Sequence, residues 1–540
     1  MALSQKKYPG VASGGWSTRA NELLTAAAES FETAPFLPFY FVTLFYTFVC
    51  CARSTRPLWY DELVTYYIAK SPTRELFFSA LARIDMQPPL QAALTMLSLR
   101  VFGDSNLAAR IPSIIAFWIA SSCLYRFVGR KLGRFYGLAA MLALWSTEFF
   151  MYAFEARPYA LVTAFLAVAM ISWQHRAEGS ARFRWLLGIA FGVAGLLTSH
   201  VFGSLALVPL GIAEIVSSID RKKVDWKVWA AFFAPAPLLL FSIKTLNQYG
   251  ASAVIYPPAF QASILKAITF YRGVLFEGSF LLLIALAAGV LLSERALAPG
   301  ARPGFSRAEI ALCSTLLVVP IVIDLLLMGR GTAFWPRYGI PSGLSVGVFF
   351  AVLLAKATQT SRLAAAGATT VIFAGIFFHI IAEPFMQPTA MAMTKQLTLE
   401  DLNPKLPLVT ASGLAFVEMN KREDNALLSH VYYLTDRESA TRFAHATLFE
   451  SFELLEQFLP VRAHVTRYRE FIRSTPHFLV LCTLDYPEDW LIPKLMNDGA
   501  HLQFLGEMPR GYNSTVVFDV NLPTASRSQD GISWETQSNP

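Results

Sequence analysis

Apolar runs of about the length needed to cross a bilayer recur along the first 383 positions of this 540-residue chain. A segment in hydrocarbon must satisfy its own backbone hydrogen bonds, so runs of this length predict helices. They fall at 36–52, 109–128, 135–152, 158–175, 185–200, 201–218, 228–246, 277–293, 308–328, 338–356 and 363–383, which makes eleven expected crossings. Composition agrees: 54% hydrophobic and 15% charged residues lie outside the range of ordinary soluble domains. The net charge of +7 is spread between apolar runs and forms no single basic stripe, which argues against nucleic acid as a partner. Cys50, Cys51, Cys123, Cys313 and Cys482 show neither CxxC spacing nor a His-Cys cluster, so no disulfide framework or zinc site is indicated. The first run follows a long mixed-charge stretch without a small-residue cleavage motif and is expected to stay as an uncleaved crossing.

One segment decides the topology. PPLQAALTMLSLRVFG at 88–103 has an uninterrupted part of only about 13 residues and carries Gln91, Ser98 and Arg100, so it predicts a helix lying along the membrane surface. With residues 1–35 inside and that helix not crossing, the inner loops receive Arg130, Lys131 and Arg134, then Arg176, Arg182 and Arg184, then Arg221, Lys222, Lys223 and Lys227, then Arg295, Arg302 and Arg307, and finally Lys356 and Arg362. The positive-inside rule expects this pattern. The first outer loop, 53–108, breaks it with six basic residues, and is accepted outside because long loops translocate largely regardless of charge.

An odd number of crossings sends the chain after residue 384 to the outer face, where its composition becomes that of a soluble domain. PLVTAS, SHVYYLTD, HFLVLCTL, HLQFLGEM and STVVFDV read as short buried strands between helical segments such as SFELLEQFL and DWLIPKLMNDGA. That alternation predicts a small α/β domain over 384–522 with a partly parallel sheet. The polar stretch 523–540 is expected to be disordered, and NELLTAAAESFE within 1–35 to form an amphipathic helix on the inner surface.

The ionisable residues gather on the outer side. WYDELVTYYIAK sets Asp61 and Glu62 just beyond the first crossing; adjacent helical residues point about 100° apart, so one site uses only one of them directly, and Asp61 is favoured. Asp85 precedes Q-P-P-L, and FEARPYAL supplies Glu155, Arg157 and Tyr159, with Glu148 seven residues earlier on the expected same helix face. His200, Asp324, Arg330, Arg337 and Tyr338 map to the same level. Such groups are costly at membrane depth unless they face a wet cavity or one another. A carboxylate can take a proton from a hydroxyl, and guanidinium groups hold phosphate bidentately and offset its charge, so the set suits transfer from a phosphorylated lipid. Asp61, Glu62, Asp85 and Glu155 are the catalytic candidates, and Arg157, Tyr159, His200, Arg337 and Tyr338 the substrate-binding ones. An acid cluster beside phosphate can also hold a divalent cation, and the sequence leaves the metal unknown.

An acid pair opening the first outer loop, D-x-x-P-P-L, F-G-x-x-x-x-A-A-R-x-P at 102–112, E-A-R-P-Y-A-L and a late R-Y at the start of a crossing, in this order, resemble the bacterial GT-C superfamily of glycosyltransferases. The chain looks similar to the dolichyl-phosphate-mannose protein mannosyltransferases and the lipid A aminoarabinose transferases. The resemblance implies a GT-C type membrane domain over 36–383. It also implies inverting transfer from a polyprenyl-phosphate sugar to a lipid, glycan or protein acceptor in the inner or plasma membrane. Asp61 matches the family's first-loop base or its partner, Glu155 and Arg157 its second-loop pair, and Arg337 with Tyr338 its late phosphate-side motif. Where many relatives carry His or Lys before Pro-Pro, this chain has Gln87, which removes a cationic contact to the donor phosphate.

Each residue also has a structural reading. Asp61 and Glu62 could cap a helix, Glu155 and Arg157 could form an ion pair at a helix end, and Tyr338 could anchor at the interface. Two other classes fit many crossings: a lipid or sugar transporter or flippase, which should place charges near the midplane, and a non-catalytic scaffold using the outer domain.

Overall fold

The computed structural model describes residues 37–240, 255–256, 261–274, 304–329, 333–358, 362–386, 396–447, 449–483, 489–510 and 513–523, with positions 22, 26, 29, 30 and 243 besides. The expected crossing at 277–293, Arg330, most of NELLTAAAESFE and the tail after residue 523 lie outside the described residues.

Helix α1 (Leu37–Arg53) buries Val42, Tyr46, Val49 and Cys50 and turns Tyr40, Phe41, Leu44 and Phe48 outward, each more than half exposed. Apolar side chains facing out from a helix are what a lipid solvent stabilises. Four helical stretches are long and apolar enough to cross a membrane by themselves: Asn106–Leu132, Val201–Arg221, Arg307–Met328 and Pro336–Ala357. A bent pair, Glu148–Phe154 with Tyr159–Ala177, passes the same test only when its two parts are taken together, and shorter apolar helices at Phe39–Arg53, Leu90–Phe102, Arg134–Trp145, Phe183–Ser199 and Ala365–Phe378 stand beside them. The chain is thus a mainly helical, multi-pass membrane fold, but eleven full-length crossings are not reached among the described residues.

Local chemistry sets the helix ends. Ser105 accepts the Ala108 N–H at 3.1 Å to start Asn106–Leu132, and Gly133 closes it at φ 107°, a backbone angle that favours glycine. Ser306 and Glu309 form a reciprocal capping box at the start of Arg307–Met328. Tyr159–Ala177 and Phe183–Ser199 pack tightly because Gly188 and Gly192 leave room: a Cβ on Gly192 would lie 2.7 Å from the Phe165 carbonyl oxygen and 2.8 Å from the Ala169 Cβ. Leu90–Phe102, with 13 residues, is about 20 Å long, shorter than a 30 Å core, and its Leu97, Val101 and Phe102 are exposed.

One expected crossing is corrected. The run 135–152 is helical only through Trp145, continues as a 3-10 turn over Glu148–Phe154 and meets Tyr159–Ala177 at a bend of 103°. Pro158 supplies the cause: it pushes Arg157 away from helical backbone and opens the next helix in a position where its missing N–H costs nothing. Glu148 and Glu155 therefore do not share a face of one helix: Glu148 is exposed, while Glu155 lies past the turn in extended backbone and is buried.

The C-terminal region forms a small sheet domain. Its strands are β1 (Leu408–Thr410), β2 (Val431–Thr435), β3 (His464–Arg467), β4 (His477–Cys482), β5 (His501–Arg510) and β6 (Asn513–Asn521), in the spatial order β3-β2-β1-β4-β6-β5. The first four are mutually parallel and the β4-β6-β5 side is antiparallel. Five of the six match the expected runs; β3 was not expected. One face of the sheet joins the first outer loop in a shared core: Leu63, Tyr67 and Ile68 of Tyr60–Ala69 and Phe77 of Arg74–Ala80 pack in one cluster with Phe416, Phe449, Phe452 and Leu479.

Candidate active site

The short helix Tyr60–Ala69 brings its N-terminus, and with it Asp61 and Glu62, to the break between Glu148–Phe154 and Tyr159–Ala177. Carboxylates are favoured at a helix N-terminus, where unpaired N–H groups leave partial positive charge. The two acids then part. Glu62 is fully buried and committed: Oε1 accepts Arg110 Nε at 2.8 Å and the Ala156 N–H at 2.7 Å, and Oε2 accepts Arg110 Nη2 at 2.6 Å and the Trp59 N–H at 3.3 Å. Against its expected catalytic role, a carboxylate enclosed on both oxygens has no face left for a substrate, which favours a supporting one. It holds the site together.

Asp61 faces guanidinium groups. Its Oδ2 lies 2.7 Å from Arg337 Nη1 and 3.9 Å from Arg157 Nε. Arg157 Nη1 lies 3.2 Å from Asp85 Oδ1 and donates to the Asp61 carbonyl at 2.9 Å and to Thr65 Oγ1 at 3.2 Å. Two acids and two arginines, contributed by residues 61, 85, 157 and 337, thus form one nearly charge-balanced cluster at the edge of the helical body. Arg337 also lies over the rings of Trp335, Trp59 and Tyr159 at 4.8, 5.8 and 6.0 Å. Asp85 ends a π-helical turn, Leu81–Asp85, and is followed by Met86 at φ 48°; strained backbone of this kind clusters at functional positions. Burial raises the Asp85 carboxyl above its ordinary range against the pull of Arg157.

Glu155 stands beside this cluster with only 6% of its surface exposed, and burial, reinforced by the carboxylates of Glu62 and Asp61, pushes its carboxyl up to about 8. Tyr159 and His200 are buried next to it, and Tyr338 is partly buried, its ring 5.8 Å from that of His200. Eight of the nine expected residues are brought together; Glu62 serves behind them. Arg110 was missed. It is buried within Asn106–Leu132 and binds the carbonyls of Ser54, Arg56 and Pro57 at 2.7–3.0 Å in addition to Glu62. Its signal was present in A-A-R-x-P, an arginine inside an apolar helix, which demands a buried partner. Gln87 was expected only as a missing cation; its Oε1 accepts the Val201 N–H at 3.5 Å and so touches the turn that carries His200. A divalent cation fits this set poorly: Asp61 and Asp85 each face a guanidinium, and among the described residues no three His, Cys, Asp or Glu side chains converge to hold one.

The profile of the dolichyl-phosphate-mannose-protein mannosyltransferase family matches residues 86–243. Two crystal structures of ArnT from Cupriavidus metallidurans, one in the apo state and one bound to undecaprenyl phosphate, share the fold: each is 14% identical, with a TM-score of 0.52 over 90% of this chain and 98% of that one. Among curated proteins none matches. The chain therefore shares its fold with ArnT and, over residues 86–243, resembles the protein mannosyltransferases.

Proposed function

We propose that this chain is an inverting glycosyltransferase that moves a sugar from a polyprenyl-phosphate donor to an acceptor hydroxyl at the outer face of the cell's inner or plasma membrane, with residues 384–522 outside. One observation supports the reading: Asp61 and Asp85 are paired with Arg157 and Arg337 at 2.7–3.9 Å, so a proton acceptor and two phosphate ligands meet within 4 Å. The undecaprenyl phosphate bound by ArnT, a protein of the same fold, supports a lipid phosphate on the donor side.

The chemistry follows from the charges. The acceptor hydroxyl gives its proton to the Asp61 carboxylate as its oxygen bonds to the anomeric carbon. The bond from that carbon to the phosphate oxygen breaks, and its electron pair leaves with the polyprenyl phosphate. Attack opposite to departure inverts the carbon. Phosphate is a good leaving group and needs no acid; it needs positive charge, which Arg157 and Arg337 supply. Asp85 holds Arg157 in place, and the protonated Glu155 carboxyl serves as a hydrogen-bond donor to the sugar or the acceptor.

The test is reconstitution of the purified protein with radiolabelled polyprenyl-phosphate sugars and membrane extract. Label should pass to an extract fraction with wild-type protein and not with folded Asp61→Asn. Label transfer by both proteins alike would reject the assignment. Movement of the intact donor across vesicles without transfer would favour a flippase.

A further inference from the structure

The helical stretch Val201–Arg221 has 21 residues and is about 30 Å long, so its last turn lies one membrane thickness from the ion cluster that its first turn adjoins. The chain then turns at Lys222, whose φ of 52° is the left-handed backbone that glycine fills best, and returns as the helix Trp226–Phe233. Between the two helices runs an open groove of about 320 Å³, lined by Ile215, Ile219, Val224 and Trp229 together with Lys222 and Lys223. Its space is about ten times what one water takes in the liquid, and none of its lining residues is acidic.

The charges around the groove divide. Arg221 turns back onto its own helix, where Nη2 lies 2.7 Å from the buried Glu214 and Nε donates to the Ser217 carbonyl at 3.2 Å. Asp225 is taken by Arg176. Lys222 and Lys223 are exposed and, among the described residues, neither makes an ion pair. The surface beside them is apolar: Ile219, Trp226 and Phe233 are 68, 75 and 64% exposed, which a lipid solvent favours. A topological charge bias accounts for lysines on this loop. It does not call for two of them on an apolar groove.

We propose that this groove seats an anionic glycerophospholipid, its phosphate against Lys222 and Lys223 and the start of an acyl chain against Ile215, Ile219 and Trp229. A basic recess between crossings suits such a headgroup: the ammonium groups gain from the negative charge, and the apolar walls match the methylenes below it. A soluble phosphate would meet the same lysines and leave the walls unmatched. The inference needs only that Val201–Arg221 crosses the bilayer, and it is independent of sugar transfer. With the ion cluster facing outward, as proposed above, the groove opens to the inner leaflet, whose anionic lipids give a negative surface.

The test measures binding of phosphatidylglycerol, and of phosphatidylcholine with the same acyl chains, to the full-length protein in detergent by native mass spectrometry. Wild type is compared with Lys222→Gly combined with Lys223→Gln, and with Arg182→Gln combined with Arg184→Gln. Glycine suits the φ of 52°, so the lysine variant keeps the helix end. The arginine variant removes the same charge from an exposed neighbouring turn, which Arg176 ties to this one through Ser180 and Asp225. Wild type should bind phosphatidylglycerol on the order of tenfold more tightly than phosphatidylcholine. The lysine variant should lose that margin while its phosphatidylcholine binding stays unchanged, the arginine variant should keep the margin, and excess glycerol phosphate should displace neither lipid. Equal affinity of wild type for both lipids, or a margin that survives in the lysine variant, overturns the proposal. Equal loss in both variants overturns it in favour of a general surface potential, and displacement by glycerol phosphate overturns it in favour of a soluble anion.

Discussion

On a helix, the step of about 100° between neighbours sends Asp61 toward two guanidinium groups and Glu62 into Arg110. Single side chains therefore separate chemistry from support. Asp61→Asn should lower transfer by on the order of a hundredfold to ten-thousandfold while leaving thermal unfolding nearly unchanged, as expected for loss of a general base. Alanine at Arg157 or Arg337 should weaken donor use about tenfold to a hundredfold more than it lowers expression, and equal donor KM in both variants would remove the phosphate assignment. Glu155 makes a prediction about pH. Its folded pKa, about 8, lies above the ordinary 4.5, so its contribution to stability is complete below about pH 4.5 and is lost as pH rises toward 8. Raising pH from about 5 to 8 should lower the wild-type Tm more than that of Glu155→Gln, and parallel curves would show that Glu155 is not buried as a neutral acid. Asp61, Arg157 and Arg337 were legible in the sequence because each sits in a short motif at a crossing's end. The duty of Glu62 was not, because it depends on an arginine many positions away that only packing brings near.

Elements place these residues by where they stop. The helix that ends at Trp145, the 3-10 turn after it and the bend before Tyr159 together lower Glu155 and Arg157 onto the N-terminus of Tyr60–Ala69. Hydropathy reads this stretch as one uninterrupted run, since apolar content does not report where an i to i+4 ladder gives way. Proline at 158 was the available sign. The strand His464–Arg467 escaped for the converse reason: it is an edge strand with half-exposed, polar residues and lacks the apolar signature of its five companions. Arg110, on the helix Asn106–Leu132, binds the carbonyls of Ser54, Arg56 and Pro57 and both oxygens of Glu62 through its guanidinium N–H groups. Arg110→Ala would leave a buried carboxylate unpaired and should cost about 3–5 kcal/mol, and Arg110→Lys should rescue little, having no planar fork to reach the same carbonyls. Chemical or thermal unfolding in detergent measures both, and an alanine variant as stable as wild type would contradict the assignment.

At the scale of the whole molecule, the first outer loop and the C-terminal sheet share one apolar core, sealed by Tyr60 against Phe449 and Phe452 at 5.4 and 6.2 Å and by Lys421 over Tyr66 at 3.8 Å. Phe452→Ala, at a site 3% exposed, should cost about 3–5 kcal/mol and should depress transfer as well, because the same core seats the helix that carries Asp61. A variant that unfolds earlier yet keeps full activity at low temperature would separate the two effects. That union was invisible in the linear chain, where the loop and the domain read as independent pieces. It also has a consequence for biosynthesis. The loop leaves the ribosome early and its partner last, an interval on the order of tens of seconds at ordinary elongation rates. Until the final strands arrive, Leu63, Tyr67 and Ile68 of the helix that carries the aspartate lack their apolar partners, so a nascent or truncated chain already threaded through the bilayer would hold its centre by polar contacts alone and should consume lipid-linked sugar poorly.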